Sequence, residues 1–304
     1  MNLIRTSILA LLMAGAAHAQ AAKDAPRAER TPTEDEQLSL AALEGLMAQP
    51  PERALPILKK VMAGSQSTVV KRRALFVLSQ VDSPEARDIL LQTARSPNAD
   101  LRGEAIRAIG ISGNPQSLDA LQDLYKTGDA GVKREILQAW MIAGRKEPVF
   151  QIALNAKTEE EAAEAIRMLG VMGAKEELRK LGEKPTAPRG LLEAYAISGD
   201  LPALRKLAET ATDPAVRADA VRRIGIIQSD EARSALREIY VKATDAQVKD
   251  AALQGMLIGQ DDEGVLALYR AAKTTDEKRT LLRMLSMMGS DAALQAIDAQ
   301  LEKK

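Results

Sequence analysis

The chain is 304 residues long, with 42 cationic and 42 anionic side chains, no cysteine and one histidine, His18. It can form no disulfide staple and no Cys/His zinc site, and its even charge gives no reason to expect nucleic acid, which selects for a basic face. Aromatic residues make up only 2% of the chain, so stacking platforms for bases or sugars are scarce.

At the N-terminus, Arg5, an apolar run from Ile8 to Ala17 and the small-residue pattern Ala17-His18-Ala19 form the parts of a secretory signal peptide, residues 1–19. The apolar run is too short to stay in a bilayer as an anchor. Nothing later is long and apolar enough to span one, so no membrane insertion is expected after cleavage. The mature chain is expected to be periplasmic or secreted. Cleavage after Ala19 also removes Arg5 and His18, leaving one more anion than cations. Without histidine there is no Ser–His–Asp or Cys–His nucleophile and no imidazole proton shuttle. Residues 20–34, with Pro26 and Pro32 and no apolar period, read as a flexible linker.

From residue 35 to 304 the apolar residues recur at helical spacing without strand alternation. A thirteen-residue phrase opens at Val70, Leu101, Val132, Glu161, Ala187, Val216, Val248 and Glu277, with a weaker ninth copy at Leu38. A period near 30 with helical units predicts an all-α superhelix of eight to nine helical pairs, an armadillo/HEAT-like solenoid. Each unit pairs the repeated helix with an outer one, such as 85–94, 116–125 or 231–241. Ser83-Pro84, Asn114-Pro115 and Asp213-Pro214 supply a side-chain cap followed by proline at the first helical position. Gly113, Gly144, Gly173, Gly199 and Gly289 close repeated helices in the left-handed conformation that glycine enters without strain.

Counting the first residue of the phrase as zero, positions 0, 4, 5 and 8 form one apolar stripe, as with Leu101, Ala105, Ile106 and Ile109. Position 9 is small (Ser79, Gly110, Gly170, Gly225), as close helix approach requires. Asn98-Ala-Asp-Leu-Arg102-Gly-Glu-Ala105, Asp213-Pro-Ala-Val-Arg217-Ala-Asp-Ala220 and Asp245-Ala-Gln-Val-Lys249-Asp-Ala-Ala252 resemble HEAT repeats, in the short bacterial form also found in phycobilisome-lyase-type proteins. The resemblance implies a curved scaffold with the repeated helices on its concave wall. It also implies that Arg102, Lys133, Arg217 and Lys249 bond between neighbouring repeats. Among enzymes of similar architecture, deoxyhypusine hydroxylase holds iron through His–Glu pairs, which a chain without mature histidine cannot supply. HEAT-like DNA glycosylases need a basic groove, and bilin lyases, harder to exclude by residue, gain little support from an exported chain without further lyase signals.

The candidate partner-binding residues are those at positions 3 and 6: Arg73, Glu104, Arg107, Glu135, Gln138, Glu164, Arg167, Asp219 and Arg222. They point away from the apolar stripe, as a solvated face with weak pairs or as a mixed-charge groove for a protein. Position 10 is apolar in seven copies: Ile111, Ile142, Val171, Ile197, Ile226, Ile258 and Met287. The expectation is that the helix is already turning there, so that these residues pack beneath the next outer helix; exposed, they would form a docking strip. Trp140 and Tyr195, at position 8, read as core filling, as do the methionines Met168, Met172, Met256, Met284, Met287 and Met288. The 26-residue spacing between Glu161 and Ala187, with Pro185 and Pro188, is either a tolerated deletion or a local change of curvature. No catalytic residue, cofactor or metal is expected. The repeat architecture and the absence of catalytic residue types favour an exported, monomeric, non-catalytic adaptor for another envelope protein, against a carboxylate-based ligand-binding protein or enzyme, or a plain spacer.

Overall fold

The computed structural model describes residues 31–183 and 190–302; the signal peptide, the linker as far as Arg30 and the two-proline stretch of the short spacing lie outside the described residues. The described residues are helical, with eighteen α-helices, one 3-10 turn and no strand among them. They divide into two compact units, one ending at Val77 and one beginning at Leu78.

The first unit holds α1 (Glu34–Leu46), α2 (Pro51–Ala63) and most of α3 (Thr68–Ser79). A capping box starts α1: the Glu36 backbone N–H donates to Thr33 Oγ1 at 3.3 Å, and the Thr33 N–H donates to Glu36 Oε2 at 2.8 Å. Leu43, Leu55, Leu58, Val70 and Leu75 make its core. The weak ninth copy is indeed a helix, but its opening Leu38 is exposed. A terminal repeat has a neighbour on one side only, so part of its stripe stays in water.

In the second unit, outer helices α4 (Pro84–Thr93), α6 (Pro115–Thr127), α8 (Lys146–Asn155), α10 (Lys175–Gly182), α12 (Leu201–Thr210), α14 (Asp230–Lys242), α16 (Asp262–Ala271) and α18 (Asp291–Leu301) alternate with repeated helices. The latter are α5 (Ala99–Ser112), α7 (Ala130–Ile142), α9 (Glu159–Val171), α11 (Leu191–Ile197), α13 (Pro214–Ile224), α15 (Ala246–Ile258) and α17 (Thr275–Met288). Each repeated helix packs on the next in order, and each also packs on the outer helix before it.

The stripe forms the core between the two layers. Ile106, Ile109, Ile136, Leu137, Trp140, Ile166 and Leu169 are all buried, each contributing roughly 1.5–3 kcal/mol of transfer free energy. Trp140 fills the core as expected and donates its indole N–H to the Leu118 carbonyl at 3.1 Å. Met168, Met256 and Met284 are core too, whereas Met287 is exposed, which corrects the expectation for that residue. Its place in the repeat explains why, as described below. At position 9, a Cβ on Gly110 would stand 2.8 Å from the Ala139 backbone. α5 and α7 therefore pack in contact there, and only glycine allows it.

Five repeated helices end through the expected left-handed glycine caps. Gly144, Gly173 and Gly199 have φ of 68°, 62° and 68°. Arg145, Ala174 and Asp200 then return N–H bonds of 2.8–3.0 Å to Trp140, Leu169 and Tyr195 carbonyls. Gln260 adopts φ 52° at the same place, with Asp261 N–H on the Met256 carbonyl at 2.9 Å. A non-glycine residue is held there because the bonds on both sides fix the turn.

Candidate functional site: the wall of the repeated helices

The residues left over once the stripe is buried lie on the other face of the repeated helices, and the second unit lines them up by packing those helices side by side. Position 10 corrects the sequence-based expectation. Ile111, Ile142, Val171, Ile197, Ile226, Ile258 and Met287 are all exposed, from 38% to 66%, and none packs beneath an outer helix. The reason is geometric. These helices stay α-helical through position 10 in all copies but α13, so that residue keeps its ideal direction, 80° from the axis of the stripe's first residue and beside the polar row. In α13 the 3-10 turn Gly225–Ile227 carries Ile226, which is exposed all the same. The result is one apolar residue per repeat across seven neighbouring repeats.

The polar row beside it is knitted together unevenly. Arg73, in the first unit, donates to Glu44 at 2.7 Å and lies over the Phe76 ring. Glu104 is half-buried and Arg107 is exposed. Glu135 packs against the Gly103 backbone. Burial pushes its carboxyl above the usual glutamate range, against the pull of Arg102 and Arg107, and its Oε2 has no hydrogen-bond partner. Gln138 is exposed. Arg167 grips Glu164 with two bonds, of 2.6 and 3.2 Å. Asp219 bonds Arg222 at 3.2 Å and Arg223 at 2.9 Å. Arg222 reaches Gln254 of the next repeat at 2.6 Å, and Arg223 lies 3.7 Å from Glu193 of the previous one. The nine candidates are thus not one site. Arg73 belongs to the first unit, the pairs at Glu164 and Asp219 are self-satisfied, and between them Glu135 keeps a buried carboxylate oxygen without a hydrogen bond among the described residues.

The position-1 cations act between repeats or at the helix start. Lys133 pairs with Glu161 of the next repeat at 2.8 Å, and Arg217 stands 3.9 Å from Asp245. Arg102 and Arg217 also donate to the carbonyls of Ser96 and Ala211 just before their helices. Sequence reasoning missed the tyrosines that complete this arrangement. Tyr125 donates to Glu161 at 3.2 Å beneath the Lys133 ammonium, and Tyr240 donates to Glu277 at 3.4 Å beneath Lys249. Burial and the neighbouring carboxylate raise the Tyr240 hydroxyl to about 12 and the Tyr125 hydroxyl beyond that. A tyrosine closing an outer helix eight or nine residues before a position-1 lysine was the available signal. Also missed were Asp200 and Asp261, buried caps of α12 and α16 held by Arg179 and Arg237 of the preceding outer helices. Among the described residues no three metal-ligating side chains gather as a cage, and no helix is long and apolar enough to cross a membrane.

A family model for HEAT repeats matches residues 55–140 and 147–257. No curated protein sequence matches the chain. Among solved structures, an engineered protein is similar at 19% identity over 88% of this chain and 89% of its own, with a TM-score of 0.31. Human deoxyhypusine hydroxylase in complex with glycerol is similar at 18% identity over 88% and 92%, with a TM-score of 0.33. The complex of CpcE and CpcF of phycocyanin lyase from Nostoc sp. PCC7120 is similar at 17% identity over 90% and 97%, with a TM-score of 0.28.

Proposed function

Since the chain belongs to the HEAT-repeat family, and is a helical scaffold, we propose that it is a monomeric, non-catalytic adaptor that holds another protein of the cell envelope against its repeated helices. The observation that carries this reading is the row of exposed apolar side chains at position 10, from Ile111 to Met287. Isolated apolar residues on a surface need no explanation, but a regular row of seven, rimmed by charged side chains, has the character of an interaction surface. Three or four adjacent repeats offer the roughly 800 Å² per side that a stable complex needs. The charged row supplies register rather than affinity, because exposed pairs contribute little net free energy. The signal-peptide pattern of residues 1–19 supports export, with Gln20 as the mature N-terminus; N-terminal sequencing of the periplasmic fraction tests it.

A photo-reactive residue at Val171, with Glu209 on an outer helix as control, tests the docking surface. The expected result is one discrete envelope protein captured from Val171 and not from Glu209. Capture should be lost when Ile142, Ile197 and Ile226 are all changed to Glu. Equal capture from both positions, or capture that survives the triple change, removes the wall as the docking surface.

A further inference from the structure

A second feature of the second unit lies away from that wall, between outer helices α6 and α8. A groove of about 420 Å³ opens there, floored by Trp140 and Ile152 and walled by Gln122 of α6 and by Glu147 and Gln151 of α8. Its volume falls within the range of pockets that hold small ligands.

The charges along the groove are largely spent on one another. Lys126 pairs with Asp123, Lys133 with Glu161 and Arg145 with Asp119, at 2.7–2.8 Å each. Among the described residues, one anion and one cation of the lining remain without an opposite charge. Among the described residues Glu147 has only a neutral partner, the Gln151 amide, which donates to it at 2.8 Å. Lys157 gives its backbone N–H to Glu161, while its exposed ammonium has no ion pair among the described residues. Glu147 lies in the first turn of α8 and Lys157 two residues beyond its end. The eight steps from Glu147 to Asn155 rise roughly 12 Å along the helix axis, and the two non-helical steps beyond it add at most about 7 Å.

We infer that this groove binds a short free peptide in extended form, its ammonium at Glu147 and its carboxylate at Lys157. An extended chain rises about 3.3 Å per residue, so about four or five residues span the two charges. A single amino acid is too short to reach both, and a fatty acid has no group for Glu147. Between the ends, the Gln122 carboxamide offers one donor and one acceptor face to a peptide unit. An apolar side chain meets Ile152 and the Trp140 floor. The inference is independent of the adaptor reading, since it uses outer helices and none of the position-10 residues.

Trp140 is the only tryptophan and borders the groove from the core side, so a change in its emission comes from this part of the molecule. The experiment titrates the full-length mature protein with Ala-Leu-Ala-Ala, followed by Trp140 fluorescence and calorimetry. Saturable binding is expected, weakened at least tenfold by N-acetylation and likewise by C-terminal amidation. In Glu147→Gln the acetylation penalty should disappear while the amidation penalty remains; in Lys157→Met the reverse should hold. Both side chains are exposed, so neither variant should shift the melting temperature. Absence of binding at millimolar peptide overturns the inference, as do blocked peptides that bind as well as free ones, or penalties unchanged in both variants.

Discussion

Two joints in the second unit use the same device with different closeness. Asp200 and Asp261 both follow a left-handed cap at the end of a repeated helix, both cap the next outer helix, and both are buried. Arg179 closes on Asp200 with two bonds, of 2.7 and 2.8 Å. Arg237 comes only to 3.5 Å of Asp261, whose Oδ2 is left without a hydrogen bond. The residue types are identical. What differs is whether the preceding outer helix carries its arginine far enough for the planar guanidinium to meet both carboxylate oxygens. The Tyr–Lys–Glu clamps repeat the lesson: Lys133 reaches Glu161 at 2.8 Å, whereas Lys249 lies over Tyr240 without forming an ion pair to Glu277 among the described residues.

The comparison can be broken at its strongest point first. Arg179→Ala leaves a fully buried carboxylate without its counter-charge and should cost about 3 kcal/mol, at the low end for a buried pair because Arg179 is itself half exposed. Arg237→Ala should cost about 1 kcal/mol, since its contact with Asp261 is a single, longer ion pair without a hydrogen bond. Denaturant melts of the two variants measure the difference, and equal losses would mean the second contact is as strong as the first.

At the clamps, Glu161→Gln should cost about 1 kcal/mol and Glu277→Gln a few tenths, read by the same melts. A pH series sharpens this. The bond from Lys133, helped by the Lys157 and Tyr125 donors, holds the Glu161 carboxyl below the usual glutamate range. A depressed folded pKa contributes stability that is present above the unfolded value and is lost as pH falls through the folded one. The stability gap between the native chain and Glu161→Gln should therefore be constant above about pH 5 and close as pH falls below about 4. A gap unchanged at pH 3 would show that the carboxylate charge is not what Lys133 holds.

The smallest expected effect belongs to the wall. Val171→Glu and Ile142→Glu should each change stability by less than about 0.5 kcal/mol, since both side chains are already in water. A loss of 2 kcal/mol or more would mean that position 10 supports the fold rather than a partner.

The repeat period, the stripe of positions 4, 5 and 8 and most helix limits were readable in the sequence, because each is local. Glycine at the cap and proline after Ser83, Asn114 or Asp213 bias the backbone whatever surrounds them. The all-α repeat architecture follows from that alone, as does the burial of Trp140. Which leftovers face water was not readable. Ile111 and its six counterparts are as apolar as the core, and their exposure rests on the helices running on through position 10 together with outer helices that do not cover that side. The tertiary structure likewise decided that Gln260 takes a glycine's conformation, that Tyr125 reaches a glutamate 36 residues away, and that Glu147 and Lys157 are left as the two ends of one groove. Sequence carries local preference strongly, whereas contacts between helices 20 to 40 residues apart depend on angles and separations that no single segment encodes.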